Sequence, residues 1–498
     1  MKGETQRFRK SVLLASMLAA FAGAEAATVT DPVTGSGDAY GSAVKTCDGA
    51  VCTYDFGETV TISADRSDFE TEKAFFGEFA NGVVRFIGTS KNKLTGSEIT
   101  IANPVTIEAT DVAQEGDSSS DELFGVYFNY ANGNALTFKD ALTINATLER
   151  DSSRSLATAN GINVRGANAK GNTINAGDTT ISVDVSSLLS GAQARGIYTW
   201  TGDNGNSMTF GDLVIQVSAD SEGGVANAYG LYGGGLSLTA SSLRIEANSN
   251  TSAARNATAH GLYALKYSDI AVNGTLSISA EAESGGSNAT TTGLWVYGGS
   301  VSVTGGSASD ITAVASSSAG KATARGIYVY TSGSELNLSS ESSQIVTVRS
   351  EAVNTGGVAK SYGVDLYGAG FTFEGSLNIT STADSSTGDG TAYGLNATTQ
   401  TAVIRTALNI NAEGDEAYAV HAYRGVTQGS VTAGSVTLSA VGTAEACGVC
   451  LEGGAADFAS GSISASSAAA DATVTAVSVS ETGAFEMGSE GSAVTIIA

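Results

Sequence analysis

The sequence predicts an all-β fold, a right-handed parallel β-helix with three sides and about thirteen coils. Two patterns and one absence predict it. A short marker (small residue, any residue, glycine, aliphatic) recurs along the chain. A second apolar pattern follows each marker. No stretch beyond the N-terminus carries a helical period.

The marker is clearest as Ala194-Arg195-Gly196-Ile197, Ala259-His260-Gly261-Leu262 and Ala324-Arg325-Gly326-Ile327. Its glycine position falls at 82, 125, 161, 196, 230, 261, 293, 326, 363 and 394, then continues as Ala419, Gly448 and Ala476. The copies are spaced 25 to 43 residues apart. The next residue is aliphatic in every copy, from Val83 and Val126 through Leu262 and Ile327 to Val449 and Val477. Such a column points into a core.

The second pattern places an apolar residue four positions before an aliphatic-x-aliphatic strand that usually ends in alanine. It reads Phe138/Leu142/Ile144/Ala146, and returns at Phe56/Val60/Ile62/Ala64, Ile101/Val105/Ile107/Ala109, Val272/Leu276/Ile278/Ala280 and Ile404/Leu408/Ile410/Ala412. Period-two alternation marks these pieces as strands. Each repeat therefore offers three short strands, and stretches such as 217–227, 281–291 and 383–391 read as the loops between repeats. Each strand pairs with its copy in the next coil, about 4.8 Å away, giving a rod roughly 60 Å long. Right-handed winding follows from strand chirality. A β-sandwich fits less well, because it needs hairpin turns between strands and imposes no long register.

Residues 1–26 read as a secretory signal. Lys2, Arg7, Arg9 and Lys10 form a basic start, Ser11 to Gly23 is apolar, and Ala24-Glu25-Ala26 supplies small residues before a cleavage at Ala27. The apolar run is too short to anchor in a bilayer of roughly 30 Å. Residues 27–70 then form an N-terminal cap, and 71–498 the repetitive β-helix. The chain has 25 basic and 50 acidic residues; losing the four basic residues of the signal together with Glu4 and Glu25 leaves a net charge of −27. Nucleic acid and anionic membranes are poor partners for such a surface. Sixty-two glycines against two prolines suggest disorder, but 42% hydrophobic content, regularly placed, argues for a packed core.

With the signal, the acidic small-residue composition and the repeat together, the chain resembles the passenger region of bacterial autotransporters, the type V secretion family, especially its repetitive adhesin-like members. The resemblance covers about residues 28–498 and is architectural, so no family site residue carries over. It implies export through the outer membrane by a C-terminal β-barrel, display on the surface of a Gram-negative cell, and a part in adhesion, autoaggregation or biofilm formation. That barrel is missing. The chain ends at Val494-Thr495-Ile496-Ile497-Ala498, itself a third-strand pattern, which reads as a repeat cut short without a cap.

Little else argues for chemistry. Cys47 and Cys52 flank Asp48-Gly49, a turn able to bring their Cβ atoms together, and are expected to form a disulfide on the cap. Cys447 and Cys450 form a CxxC, but Gly448 and Val449 are a marker, so the pair lies on a strand. In extended chain, residues three apart are separated by roughly 10 Å, beyond the roughly 7 Å limit for a disulfide. No metal is expected, since His260 and His421 are the only histidines and fall in different coils. Gly116-Asp117-Ser118-Ser119-Ser120 superficially resembles a serine-protease loop, yet no histidine precedes it and it reads as an acidic surface loop. A polysaccharide-active enzyme would need acids and a base clustered on adjacent coils. Asp365 stands alone on its strand, and Glu413, Asp415 and Glu416 read as a loop.

The best functional signal is the column two residues after the marker glycine: Tyr198, Tyr232, Tyr263, Trp295 and Tyr328 in five successive coils. Strand alternation turns this column outward, making an aromatic ladder about 20 Å long. Ring stacking that stabilises the solenoid is one role for it; a platform for sugar rings or for a partner's apolar strip is the other. The expected protein is a non-catalytic adhesin or autoaggregation scaffold without cofactor. Its expected partner is a host glycan, a surface protein, or a second copy on a neighbouring cell. An enzyme acting on polysaccharide and an inert stalk are the alternatives.

Overall fold

The computed structural model describes residues 94–498, except 97, 113–121, 151–155, 167–168, 203–204, 307, 339–340, 369, 399–400, 424–429 and 489–492. Before residue 94 it describes the backbone of four strands, Ala27–Val29, Val51–Tyr54, Val60–Asp65 and Asn81–Ile87. The signal segment, Cys47 and the Gly116–Ser120 loop lie outside the described residues.

The chain is a β-solenoid, 76% strand, with parallel strands stacked in about 11 turns. Three series of strands alternate along it, as the repeat predicts. In one coil they are the marker strand Glu122–Asn129, the short Ala135–Phe138 and the third strand Leu142–Arg150. Each pairs in register with its copies: Ile162 lies between Val126 and Ile197, and Ile144 between Ile107 and Ile181. Thirteen marker strands are present, but the first, Asn81–Ile87, and the last, Thr473–Ser480, each pair on one side only. Val60, Ile62 and Ala64 pair with Val105, Ile107 and Ala109, so the predicted pattern holds in the earliest coil as well.

The core runs the length of the rod as a set of aligned aliphatic columns. Val126, Ile162, Ile197, Leu231, Leu262, Leu294, Ile327, Val364, Leu395, Val420 and Val449 are all fully buried. The marker glycine is explained from across this core. A Cβ at Gly196 would overlap the Cγ2 methyl of Ile215, and a Cβ at Gly394 that of Ile410. The same Cβ would lie 2.5 Å from Gly230 O or 2.6 Å from Ala419 O in the next coil, so the backbone is crowded both by the third strand and by its neighbour. Ala419 breaks the rule and is still buried. The third-strand residue in register with Ile410 is Leu438 in its coil, which has no branch at Cβ. A γ-branched side chain leaves room for one methyl.

Three expectations change. In the first repeat the register lies one residue later: Gly82 pairs with Phe124 and Val84, not Val83, with Val126. The same register places Phe86 opposite Phe128. The third strands also run further than read. Asn206–Ser221, Leu276–Ser284 and Ser376–Ser385 take in much of the supposed loops, because small residues such as Ala219, Ala280 and Ala282 still point into the core. Likewise Glu413, Asp415 and Glu416 lie within the strand Thr401–Tyr423.

From Leu142–Arg150 to Ile345–Asn354 the third strands end on a buried polar residue, and in several of them it ties down the turn. Ser221 Oγ accepts from Gly224 N and donates to Ser190 O of the preceding coil. Ser284 repeats this with Ser287 N and Arg255 O, and Asn354 with Gly356 N and Gly320 O. A buried turn otherwise leaves orphan amides, so this ladder is a condition of stacking coils closely.

Candidate functional site

The marker strand bends at its glycine. Pairing between coils runs Asn160↔Arg195 and resumes at Ile162↔Ile197, stepping over the glycines. Two consecutive inward positions, the glycine and its aliphatic neighbour, bring the residues before and after them together on the outside. Arg195 lies over the Tyr198 ring at 4.2 Å and Arg325 over Tyr328 at 4.8 Å. Phe124 stacks on Tyr127 at 4.4 Å, and Tyr229 meets Tyr232 edge-on at 5.6 Å. His260 faces Tyr263 at 5.9 Å, and Tyr418 faces His421 at 5.7 Å.

The same bend overturns the expectation for the CxxC. Cys447 and Cys450 are bonded to each other, with their Cα atoms 6.0 Å apart. The extended-chain distance does not apply because Gly448 folds the strand between them. The other expected disulfide, Cys47 with Cys52, lies outside the described residues, since Cys47 is not among them.

The predicted ladder is in register. Tyr198, Tyr232, Tyr263, Trp295 and Tyr328 are consecutive partners, all half-buried on the outer side. Ring centroids are 5.2, 4.9, 4.2 and 5.3 Å apart in that order. Two further columns flank it. Before the glycine stand Tyr229, His260, Tyr362, Tyr393 and Tyr418, the last three stacked at 5.0 Å. Four residues after it stand Trp200, Tyr297, Tyr330, Tyr367 and Tyr423, with Tyr297, Tyr330 and Tyr367 stacked at 5.5 and 5.0 Å. Trp200 is 56% exposed and Tyr367 48%. One side of the rod thus carries aromatic rings in three adjacent columns, each filled over a different run of coils.

Beyond Tyr328 the central column turns polar. Arg325 Nε donates to Asp365 Oδ2 at 3.2 Å, Asn396 Nδ2 donates to Asp365 Oδ1 at 2.8 Å, and His421 Nδ1 lies 2.8 Å from Asn396 Oδ1. His421 Nε2 is 3.8 Å from Glu452 Oε1. Asp365 is therefore not alone: neighbouring coils bring it an arginine, an amide and, through that amide, a histidine. Burial raises the Asp365 carboxyl above its usual range, more than Arg325 lowers it. Burial also depresses the His421 imidazole, opposed by Glu452. His260 is pushed down to about 3 by burial, with Arg325 adding to the effect, so it is neutral at ordinary pH. Burial lifts the hydroxyls of Tyr232 and Tyr328 to about 12, with neighbouring phenols and Asp365 contributing. They remain protonated donors.

Polar atoms without a hydrogen-bond partner among the described residues gather on this face: the Asn160 amide, Asn163 Oδ1, Arg195 Nε, His260 Nδ1 and Trp295 Nε1. Other acidic side chains, such as Glu281, Glu283 and Asp310, stand exposed on the third strands. Among the described residues no cluster of three or more His, Cys, Asp or Glu side chains is arranged to hold a metal ion.

The fold and this face define a parallel β-solenoid with one aromatic side. No protein-family model matches the chain, and neither a curated protein nor a solved structure matches it significantly.

Proposed function

We propose that the chain is an exported, non-catalytic adhesin-type scaffold that holds an extended glycan along its aromatic face. The observation that supports this is the central ladder from Tyr198 to Tyr328, five half-buried rings in register, flanked by Tyr229 and His260 on one side and by Trp200, Tyr297 and Tyr330 on the other. Sugar rings offer apolar faces for stacking and hydroxyls for hydrogen bonds, and tyrosine phenols, Arg195 and the polar column answer both. A glycan needs little charge complementarity. Self-association between cells would bring together two chains of net charge −27 once residues 1–26 are removed (21 basic against 48 acidic residues), which repel at low salt. Export follows from the segment at 1–26, and surface display on a Gram-negative cell would require a C-terminal translocator. A glycan-array screen with the Tyr232→Ala/Tyr263→Ala/Trp295→Ala variant as control tests the reading. Binding that survives in the folded variant, or only homotypic aggregation, would refute it.

A second reading has one observation in its favour. The line Arg325–Asp365–Asn396–His421 offers a protonatable carboxyl and an imidazole beside the ladder, a general acid and a general base for bond cleavage. Release of reducing ends from a bound polysaccharide, abolished by Asp365→Asn, would favour an enzyme over a scaffold.

A further inference from the structure

The bonded pair Cys447–Cys450 stands apart from the binding face in what it contributes. A cross-link stabilises chiefly by closing a loop, and this one closes the smallest loop on the rod, three residues along one strand. That strand is already held from both sides, with Tyr418, Cys447 and Thr475 in register and likewise His421, Cys450 and Ser478. Nor does the bend depend on the bond. Arg195 and Tyr198, or Tyr418 and His421, make the same approach across their own markers without one. The bend at the marker therefore brings these two positions together without help from the bond. A broken bond re-forms without rearrangement of the backbone. The two residues also differ: Cys447 is fully buried, whereas Cys450 is partly exposed.

We propose that Cys447–Cys450 is a thiol–disulfide exchange site, at which Cys450 takes an incoming thiol into a mixed disulfide and Cys447 releases it. The thiol RSH attacks the Cys450 sulfur; the Cys447–Cys450 bond breaks as the Cys450–SR bond forms, and the proton of RSH ends on Cys447. In reverse, the Cys447 thiol attacks the Cys450 sulfur and expels RSH. A second RSH instead attacks the sulfur of R in the mixed disulfide; the Cys450–SR bond breaks as the RS–SR bond forms, the proton ends on Cys450, and the products are RSSR and the dithiol, the pair having gained two electrons and two protons. Glu445 and Glu452 each lie two residues outside the pair on the same strand, and Glu416 pairs with Glu445 from the preceding coil. A local field of three carboxylates disfavours an anionic thiol. The class of partner is a thiol, small or on a protein, with no negative charge near its sulfur.

The experiment uses the full chain treated with cysteamine or thioglycolate, followed by alkylation and peptide mapping. Each rate is normalised to that of the same thiol with a small uncharged disulfide. Without denaturant, cysteamine should open Cys447–Cys450 while far-UV circular dichroism is unchanged. Its normalised rate should exceed that of thioglycolate about fivefold at low salt, a ratio that Glu452→Gln reduces. In Cys447→Ala, incubated with cystamine, the cysteamine adduct should accumulate on Cys450; in Cys450→Ala, Cys447 should stay unmodified. If the bond opens only in denaturant, or its opening unfolds the sheet, it is a staple and the proposal fails. Equal labelling of the two single variants would also overturn the assigned roles, and it is read on wild type as well, by which sulfur first carries the mixed disulfide.

Discussion

Tyr263 and Trp295, one coil apart, lie face to face with centroids 4.2 Å apart and planes 7° from parallel. Immediately before them, Tyr232 meets Tyr263 edge-on at 77°. The coil spacing of about 4.8 Å suits either geometry, and both are favourable, each such pair contributing about 0.5–1.5 kcal/mol beyond burial. Stacking and ligand binding are thus competing explanations of the same row, and separating them needs a measurement that does not confuse loss of fold with loss of site.

The Tyr232→Ala/Tyr263→Ala/Trp295→Ala variant provides that measurement. It removes the central three rings and should melt earlier, since stacking is severed. Glycan binding, measured by titration where parent and variant are both fully folded, should fall at least tenfold. Replacing exposed turn residues such as Thr387 and Asp389 should leave binding unchanged. Unchanged binding in the triple variant would make the ladder purely structural.

The core columns make a second prediction. Leu262→Asp or Ile327→Asp buries an unpaired charge and removes apolar burial of roughly 1.5–3 kcal/mol. Hydrogen exchange should accelerate in the mutated coil and its neighbours and stay slow in distant coils, because each coil contacts only the next. A uniform loss along the chain would contradict the stacked-coil energetics.

The sequence made the solenoid legible because its inward positions repeat in residue type: the aliphatic after the glycine and the aliphatic-x-aliphatic of the third strand are both buried in coil after coil. The central ladder was legible for the same reason. Its flanking columns were not, although a signal existed. The variable residue of the marker is Arg195, Tyr229, His260, Arg325, Tyr362, Tyr393 and Tyr418 in most of the central coils, far from random. Reading it as variable assumed straight strands, on which that position would lie apart from the ladder. The bend at the glycine, which also joins Cys447 to Cys450, arises from the distance to the third strand across the core, and no local pattern encodes it.

That bend can be tested through its cause. Gly394→Ala drives a methyl against Ile410 Cγ2 and should destabilise by about 1–3 kcal/mol. Adding Ile410→Leu recreates the pairing of Ala419 with Leu438 and should recover part of the loss, so that the double variant melts above Gly394→Ala alone. Chemical denaturation of the two variants checks this. If Ile410→Leu deepens the defect, the close approach to Ile410 is not why glycine is required.

The last prediction concerns acid. His260 is held neutral, its imidazole pushed down to about 3 in the folded chain, chiefly by burial. The unfolded imidazole titrates near 6.5. A depressed base makes the unfolded state the better proton acceptor between those values. Its contribution to stability is therefore complete above about pH 6.5 and is lost progressively as pH falls towards 3, by up to about 1.4 kcal/mol per pH unit. Asp365 acts in the opposite sense: its raised carboxyl favours the folded state at low pH and weighs against it as pH rises through the folded value. His260→Gln removes only the first effect. Its stability should decline less steeply than the parent's between pH 6.5 and 4, with the two curves roughly parallel above pH 7. Urea denaturation across that range gives both slopes, and equal slopes would show that His260 is solvated or already charged in the folded protein.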